Sequence, residues 1–214
     1  MAESMALLDE GKYQEAIAIL NTEARRGDAQ AQYLLGVLYD NGQGVAQDYK
    51  LARSWFEKAA AQGQASAQYH LGFMYEAGRG MPHNNQQALH WYGLAAAGAD
   101  PNAQYRLALM HLNGFGGKVN ATEARKWFAQ AAAQGDPQAQ RQLASLYAKG
   151  LGGTQNKTLA YMWLDIARGL GDQSALRASV ELAETMASEA IATAQDWAKQ
   201  CIAKAYRGCE TLRR

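Results

Sequence analysis

Proline is nearly missing from this chain, with three in 214 residues, and cysteine is rarer still at two. So few prolines leave long stretches free to run as uninterrupted helix, and abundant alanine and glutamine push the same way. Two cysteines are too few to build a metal site unaided. Charge of one sign is also missing: the formal net charge is +1, without the basic excess expected of a dedicated nucleic-acid binder. No apolar run approaches the roughly 20 residues that a bilayer-spanning helix needs. The opening "MAESMALLDEGK" has neither a basic n-region nor an apolar h-region. No signal peptide is therefore expected in this chain, although one removed from a precursor would leave no trace. Periplasmic or secreted placement follows if a leader was removed, and cytoplasmic placement otherwise. The length suits one or two domains with a sizeable core.

What the sequence does contain is paired glycines. "NGQGV" at Asn41 to Val45 recurs as "AGRGM" from Ala77, "NGFGG" from Asn113 and "KGLGG" from Lys149, in steps of 36 residues. Trp55, Trp91, Trp127 and Trp163 keep the same step, as do Ala31, Ala67, Ala103 and Ala139. A phosphate-binding glycine loop is needed once per nucleotide, follows a strand and carries a lysine. Four copies after helical patterns, without that lysine, are punctuation in a repeat.

Each unit reads as two helices. Helix A is "DAQAQYLLGVLYDNG", with Ala31, Leu35, Leu38 and Tyr39 on one face. Gly36, Gly72, Ala108 and Ala144 share one place and allow a close helix neighbour. The first glycine of each pair is expected to end helix A in the left-handed conformation. Helix B opens at Asp48, Asn84, Asn120 or Asn156, all good N-caps, and Asn120 with Glu123 forms a variant capping box. Its buried face carries Ala52, Trp55, Phe56 and Ala59 in the first unit. Asp100 and Asp136, each followed by proline, restart helix A.

This pattern resembles the Sel1-like repeat family, relatives of the tetratricopeptide repeats, and "AQAQYLLGVLYDNGQGVAQDYKLARSWFEKAAAQG" from Ala29 to Gly63 carries the likeness. The departures are His111 in place of Tyr39 and Tyr75, Arg141 in place of Tyr33, Tyr69 and Tyr105, and Leu164 in place of Phe56. The resemblance implies an all-α fold, a right-handed superhelical solenoid of antiparallel helix pairs. Residues 1–28 form an N-terminal helical cap, with a short helix at about Ala2 to Asp9 before a lone helix B. Four repeats follow over 29–64, 65–100, 101–136 and 137–172, and residues 173–214 form a C-terminal cap whose last helix starts at Ser188.

Chemistry-bearing constellations are scarce. His70, His83, His90 and His111 lack metal-ligand spacing, and no GxSxG elbow occurs. No catalytic residue, metal or cofactor is expected. Cys201 and Cys209 would lie about 12 Å apart on one unbroken helix. If Gly208 ends that helix and turns Cys209 back, the two can bond; otherwise they are free, partly buried thiols, and both readings stand. Cysteine-rich members of the family carry a disulfide in each repeat. Those pairs are missing here, so their β-lactam-related activity is not carried over.

Matching Gly36 and Tyr39 to tetratricopeptide repeats places Tyr33, Val37 and Asp40 on the concave face. The 36-residue step adds Tyr69, Phe73 and Glu76, then Tyr105, Leu109 and Leu112, then Arg141, Ser145 and Ala148, with Arg177 and Glu181 in a fifth helix A. Val37, Phe73 and Leu109 form an apolar slot expected to meet another protein or peptide; the alternative is that they fill gaps between helices. The resemblance implies a non-catalytic protein-interaction scaffold, such as a bacterial periplasmic adaptor or an immunity protein. A carbohydrate or cell-wall-fragment binder using the tyrosines, and a β-lactam-related hydrolase, remain as alternatives.

Overall fold

The computed structural model describes residues 1–212, in which twelve α-helices and a terminal 3₁₀ turn occur and no strand. The N-terminal cap is α1 (Ala2–Asp9) and α2 (Tyr13–Arg25). Four A–B pairs follow: α3 (Ala29–Asn41) with α4 (Tyr49–Ala61), α5 (Ala65–Ala77) with α6 (Asn85–Ala97), α7 (Pro101–Asn113) with α8 (Ala121–Ala133), and α9 (Pro137–Lys149) with α10 (Lys157–Gly169). The chain ends with α11 (Gln173–Ala183), α12 (Ser188–Ala203) and the 3₁₀ turn Cys209–Thr211. Two compact units divide it, Met1–Ala103 and a second starting at Gln104.

Local chemistry sets the helix ends. Asp28 Oδ1 accepts the Ala31 N–H at 2.7 Å, and Asp48 Oδ1 accepts those of Lys50 and Leu51. Gly42, Gly78 and Gly150 close their helices with φ of 68°, 68° and 69°. The capping box at Asn120 is only half made. Asn120 Oδ1 accepts the Glu123 N–H, but the Asn120 N–H donates to the His111 carbonyl at 2.8 Å. Glu123 turns instead to Lys126.

The core is alanine built around one large helix-B side chain per repeat. Phe56, Tyr92 and Phe128 are fully buried. A methyl group at Gly36 would lie 2.5 Å from the Phe56 ring, so glycine there is what lets α3 and α4 close on each other. Trp55 departs from the expected full burial: it is only partly buried, with Lys58 Nζ 4.0 Å above its ring. Trp163 alone of the four is fully buried, in the cluster that also holds Ala194 and Ala198 of α12.

A ladder of glutamines ties helix A to the helix B before it. Gln32, Gln68 and Gln140 are buried, and their Nε2 atoms donate to the carbonyls of Ala24, Ala60 and Ala132 at 3.1–3.2 Å. These are last-turn carbonyls of the preceding helix B, and each also accepts the N–H of the glycine three residues on (Gly27, Gly63 and Gly135), so the glutamine is a second donor to the same oxygen. Gln62 Nε2 then donates to Gln32 Oε1 (2.8 Å), and Gln134 Nε2 to Gln104 Oε1 (2.9 Å). In the fourth repeat Leu170 stands at the place of Gln62 and Gln134, and Gln140 Oε1 is buried with no partner. Leu170→Gln should therefore stabilise the protein by about 0.5–1.5 kcal/mol, the usual worth of one added hydrogen bond. Urea unfolding measures it, and a gain that survives in a Gln140→Leu background would assign it to some other contact.

Candidate functional site

In the first unit the A-helix face is mostly committed to packing. Tyr33 leans on Phe56 (ring centroids 6.1 Å apart) and Tyr69 on Tyr92 (5.6 Å), each on helix B of its own repeat. Val37 packs against the Phe56 cluster. Glu76 Oε2 accepts the Tyr92 hydroxyl at 2.6 Å. Asp40 departs from its expected place as a groove contact. It is only 7% exposed, and its Oδ2 is 3.6 Å from Arg79, so no partner reaches it without rearrangement. Phe73 is half-buried, covered by the Arg79 guanidinium 4.8 Å from its ring centroid.

His70 completes this cluster. It stacks on Phe56 at 4.8 Å and 14°, with the Tyr33 hydroxyl 3.5 Å from Nε2. Burial pushes its pKa below the ordinary histidine value, against the opposing pull of Asp40 and Asp100. A depressed folded pKa means that the stability held by neutral His70 is complete above about pH 6.5 and lost as pH falls through that value toward the folded pKa. His111, lowered by burial against Glu123, adds the same sign. Thermal midpoints recorded from about pH 8 down to pH 5 should fall, and His70→Gln should flatten part of that fall, leaving the share of His111. An unchanged slope would remove His70 from the account.

The second unit is different. Tyr105 leans on Phe128 at 5.6 Å, and Leu109 and Leu112 pack against the core. Between α9 and α11, however, a cleft of about 430 Å³ opens. Ala144, Ser145 and Ala148 form one wall, Ala178 and Leu182 the other, and Leu164 of α10 the floor. Ser145, Ala148 and Leu164 stand where the second repeat has Phe73, Glu76 and Tyr92. Three truncations at neighbouring positions empty the space that those side chains occupy elsewhere. The rim is charged, with Arg141, Lys149 and Glu181. Arg141 is held in place by Asp172, its Nε donating to Oδ2 at 2.9 Å. Burial raises the Asp172 pKa, but the Arg141 hydrogen bond and the backbone N–H groups of Ala175 and Ser174 outweigh it, and the net shift is downward. Arg177 is exposed outside the cleft.

Arg141, Ser145, Ala148 and Glu181, which the 36-residue step puts on the expected concave face, all line the cleft. Leu164, Lys149, Ala178 and Leu182 join them in the lining, outside the positions that the 36-residue step marks. Leu164 was visible as a departure from the repeat, and its small size was the signal.

Cys201 and Cys209 are bonded, with Cα atoms 5.1 Å apart. The chain turns back earlier than Gly208: Ala205 and Tyr206 already have φ of 49° and 64°. Among the described residues no three His, Cys, Asp or Glu side chains gather as a metal would need, and no helix is long and apolar enough to cross a membrane.

Antiparallel helix pairs of constant length, following one another in chain order, define an α-helical repeat protein. The Sel1 repeat model matches residues 29–64, 65–100, 101–136 and 137–172. The chain belongs to the Sel1 repeat family. A crystal structure of a Sel1 repeat protein from Oxalobacter formigenes has TM-score 0.81 and 32% identity, covering 84% of this chain and 74% of that one. A second, of c5321, a protective antigen present in uropathogenic Escherichia coli strains and displaying an SLR fold, has TM-score 0.55 and 24% identity. There 94% of this chain matches 52% of the other, a likeness of fold alone. No curated protein matches the chain. Proteins of this repeat fold are in general non-catalytic protein-interaction scaffolds.

Proposed function

We propose that this protein is a non-catalytic adaptor that holds a partner protein by an apolar side chain seated in the α9–α11 cleft. The observation that carries the reading is the cleft itself: an apolar floor, a charged rim, and walls made of alanine and serine where the second repeat carries bulk. About 430 Å³ falls inside the range in which side chains and small ligands are held. The rim is mixed in charge, since Arg141 is tied to Asp172 and Lys149 stands against Glu181, and it favours a segment with charges of both signs around the inserted residue. The Cys201–Cys209 bond supports an oxidising compartment, as for a bacterial periplasmic adaptor or immunity protein. The carbohydrate reading draws less support, because Tyr33, Tyr69 and Tyr105 lean on helix-B rings rather than standing free as stacking platforms.

Ser145→Phe fills the cleft from its wall. Affinity capture with the wild-type chain and with Ser145→Phe, compared by mass spectrometry, should show a partner retained by the first and lost by the second, with both proteins melting alike. Phe73→Ala tests the first unit in the same assay, since truncating a side chain central to an interface typically weakens binding by about 2 kcal/mol. Identical captures by wild type and Ser145→Phe would end the cleft assignment.

A further inference from the structure

The fifth helix A, α11, lacks the cover that the earlier ones have. In the first repeat, Gln32, Gly36 and Tyr39 face helix B, and α4 packs on them. The same positions of α11 are Leu176, Val180 and Ala183. The helix that follows does not cover them, because α12 packs on α10 instead. Leu176 and Val180 are left 38% and 57% exposed, on a stripe with i, i+4, i+7 spacing. The side of α11 next to the stripe is anchored: Ala175 and Ser179 are buried, and Ala178 and Leu182 pack on the core. The stripe is therefore a firm surface rather than a loose end.

Its flank says what fits. Arg177 and Glu184 lie seven residues apart on the same side of the stripe, so they sit one above the other two helical turns apart. Both are exposed, and among the described residues neither takes part in a salt bridge. We propose that the stripe is an interface with a second copy of this chain, α11 pairing antiparallel with α11 about a two-fold axis near Val180. A two-fold contact is isologous, so each surface must complement itself. Antiparallel pairing does this here. It lays Leu176, Val180 and Ala183 along a shared apolar seam and brings Arg177 of each copy against Glu184 of the other, twice. A parallel pairing would leave both charges facing away from their opposites. One helix per copy is a small contact, and the association is weak, with a dissociation constant of about micromolar order or above.

Sedimentation equilibrium of the full chain, from about 1 to 500 µM, should follow a monomer–dimer curve. Val180→Asp should raise the dissociation constant at least about tenfold without moving the melting temperature, since the residue is mostly exposed. Arg177→Glu and Glu184→Arg should each weaken the dimer. Mixed in equal amounts, those two variants restore both ion pairs and should associate as well as the wild type. A monomer across the whole range overturns the proposal. So does a Val180→Asp dimer as tight as the wild type, or a mixture no tighter than its two components.

Discussion

Gly152→Ala should cost about 3 kcal/mol or more of folding stability, whereas Gly171→Ala in the same unit should cost roughly 1–2 kcal/mol. Both glycines have positive φ, 73° and 94°, so both carry the penalty of a Cβ in the left-handed region. They differ in what surrounds them. Nothing lies within 4 Å of a Cβ at Gly171. A Cβ at Gly152 would overlap the Ala121 carbonyl oxygen and lie 2.6 Å from its carbon. Those are backbone atoms at the first residue of α8, and they cannot swing aside. The second glycine of the first, second and fourth pairs thus has a role that the first does not share: it seats the A–B loop on the start of the preceding helix B. Gly80 does the same over Tyr49. Urea denaturation of the two variants checks the difference, and equal losses would show that backbone conformation alone sets the requirement.

Removing the disulfide comes second. Changing both Cys201 and Cys209 to serine should destabilise the protein by about 2.5 kcal/mol, the chain-entropy worth of so short a loop. Both cysteines are buried, and Tyr206 and Leu212 pack against the same cluster, so the bond holds the last turn onto the core. That turn brings Glu210 to Tyr147, whose hydroxyl is pushed up in pKa first by burial and then by Glu210, with the Arg125 guanidinium 3.8 Å from the ring centroid. Reductant should lower the melting temperature of the wild type to that of the double variant and leave the variant unmoved. A wild-type melt insensitive to reductant would show that the staple adds nothing to stability.

Some of this architecture is written locally. The 36-residue step, the caps at Asp48, Asn84, Asp136 and Asn156, and the helix-ending glycines involve groups a few residues apart, so sequence alone determined the helix pairs and their order. Leu164, Ser145 and Arg141 were equally legible, but only as departures from the repeat. Whether they mattered depended on which helices stand side by side. Ser145, Ala148 and Leu164 leave one shared space because stacking brings α9, α10 and α11 together; a small residue facing solvent would have left none. The burial of Asp40 and the incomplete burial of Trp55 are of the same kind, since solvent access is a property of neighbours and not of spacing. The glutamine ladder was in plain view as a repeated residue, yet its meaning lay in carbonyls eight residues back in another helix. Tertiary packing alone decided that α12 turns to α10 and leaves Leu176 and Val180 uncovered. Helix periodicity says which residues share a face; it does not say what the face meets.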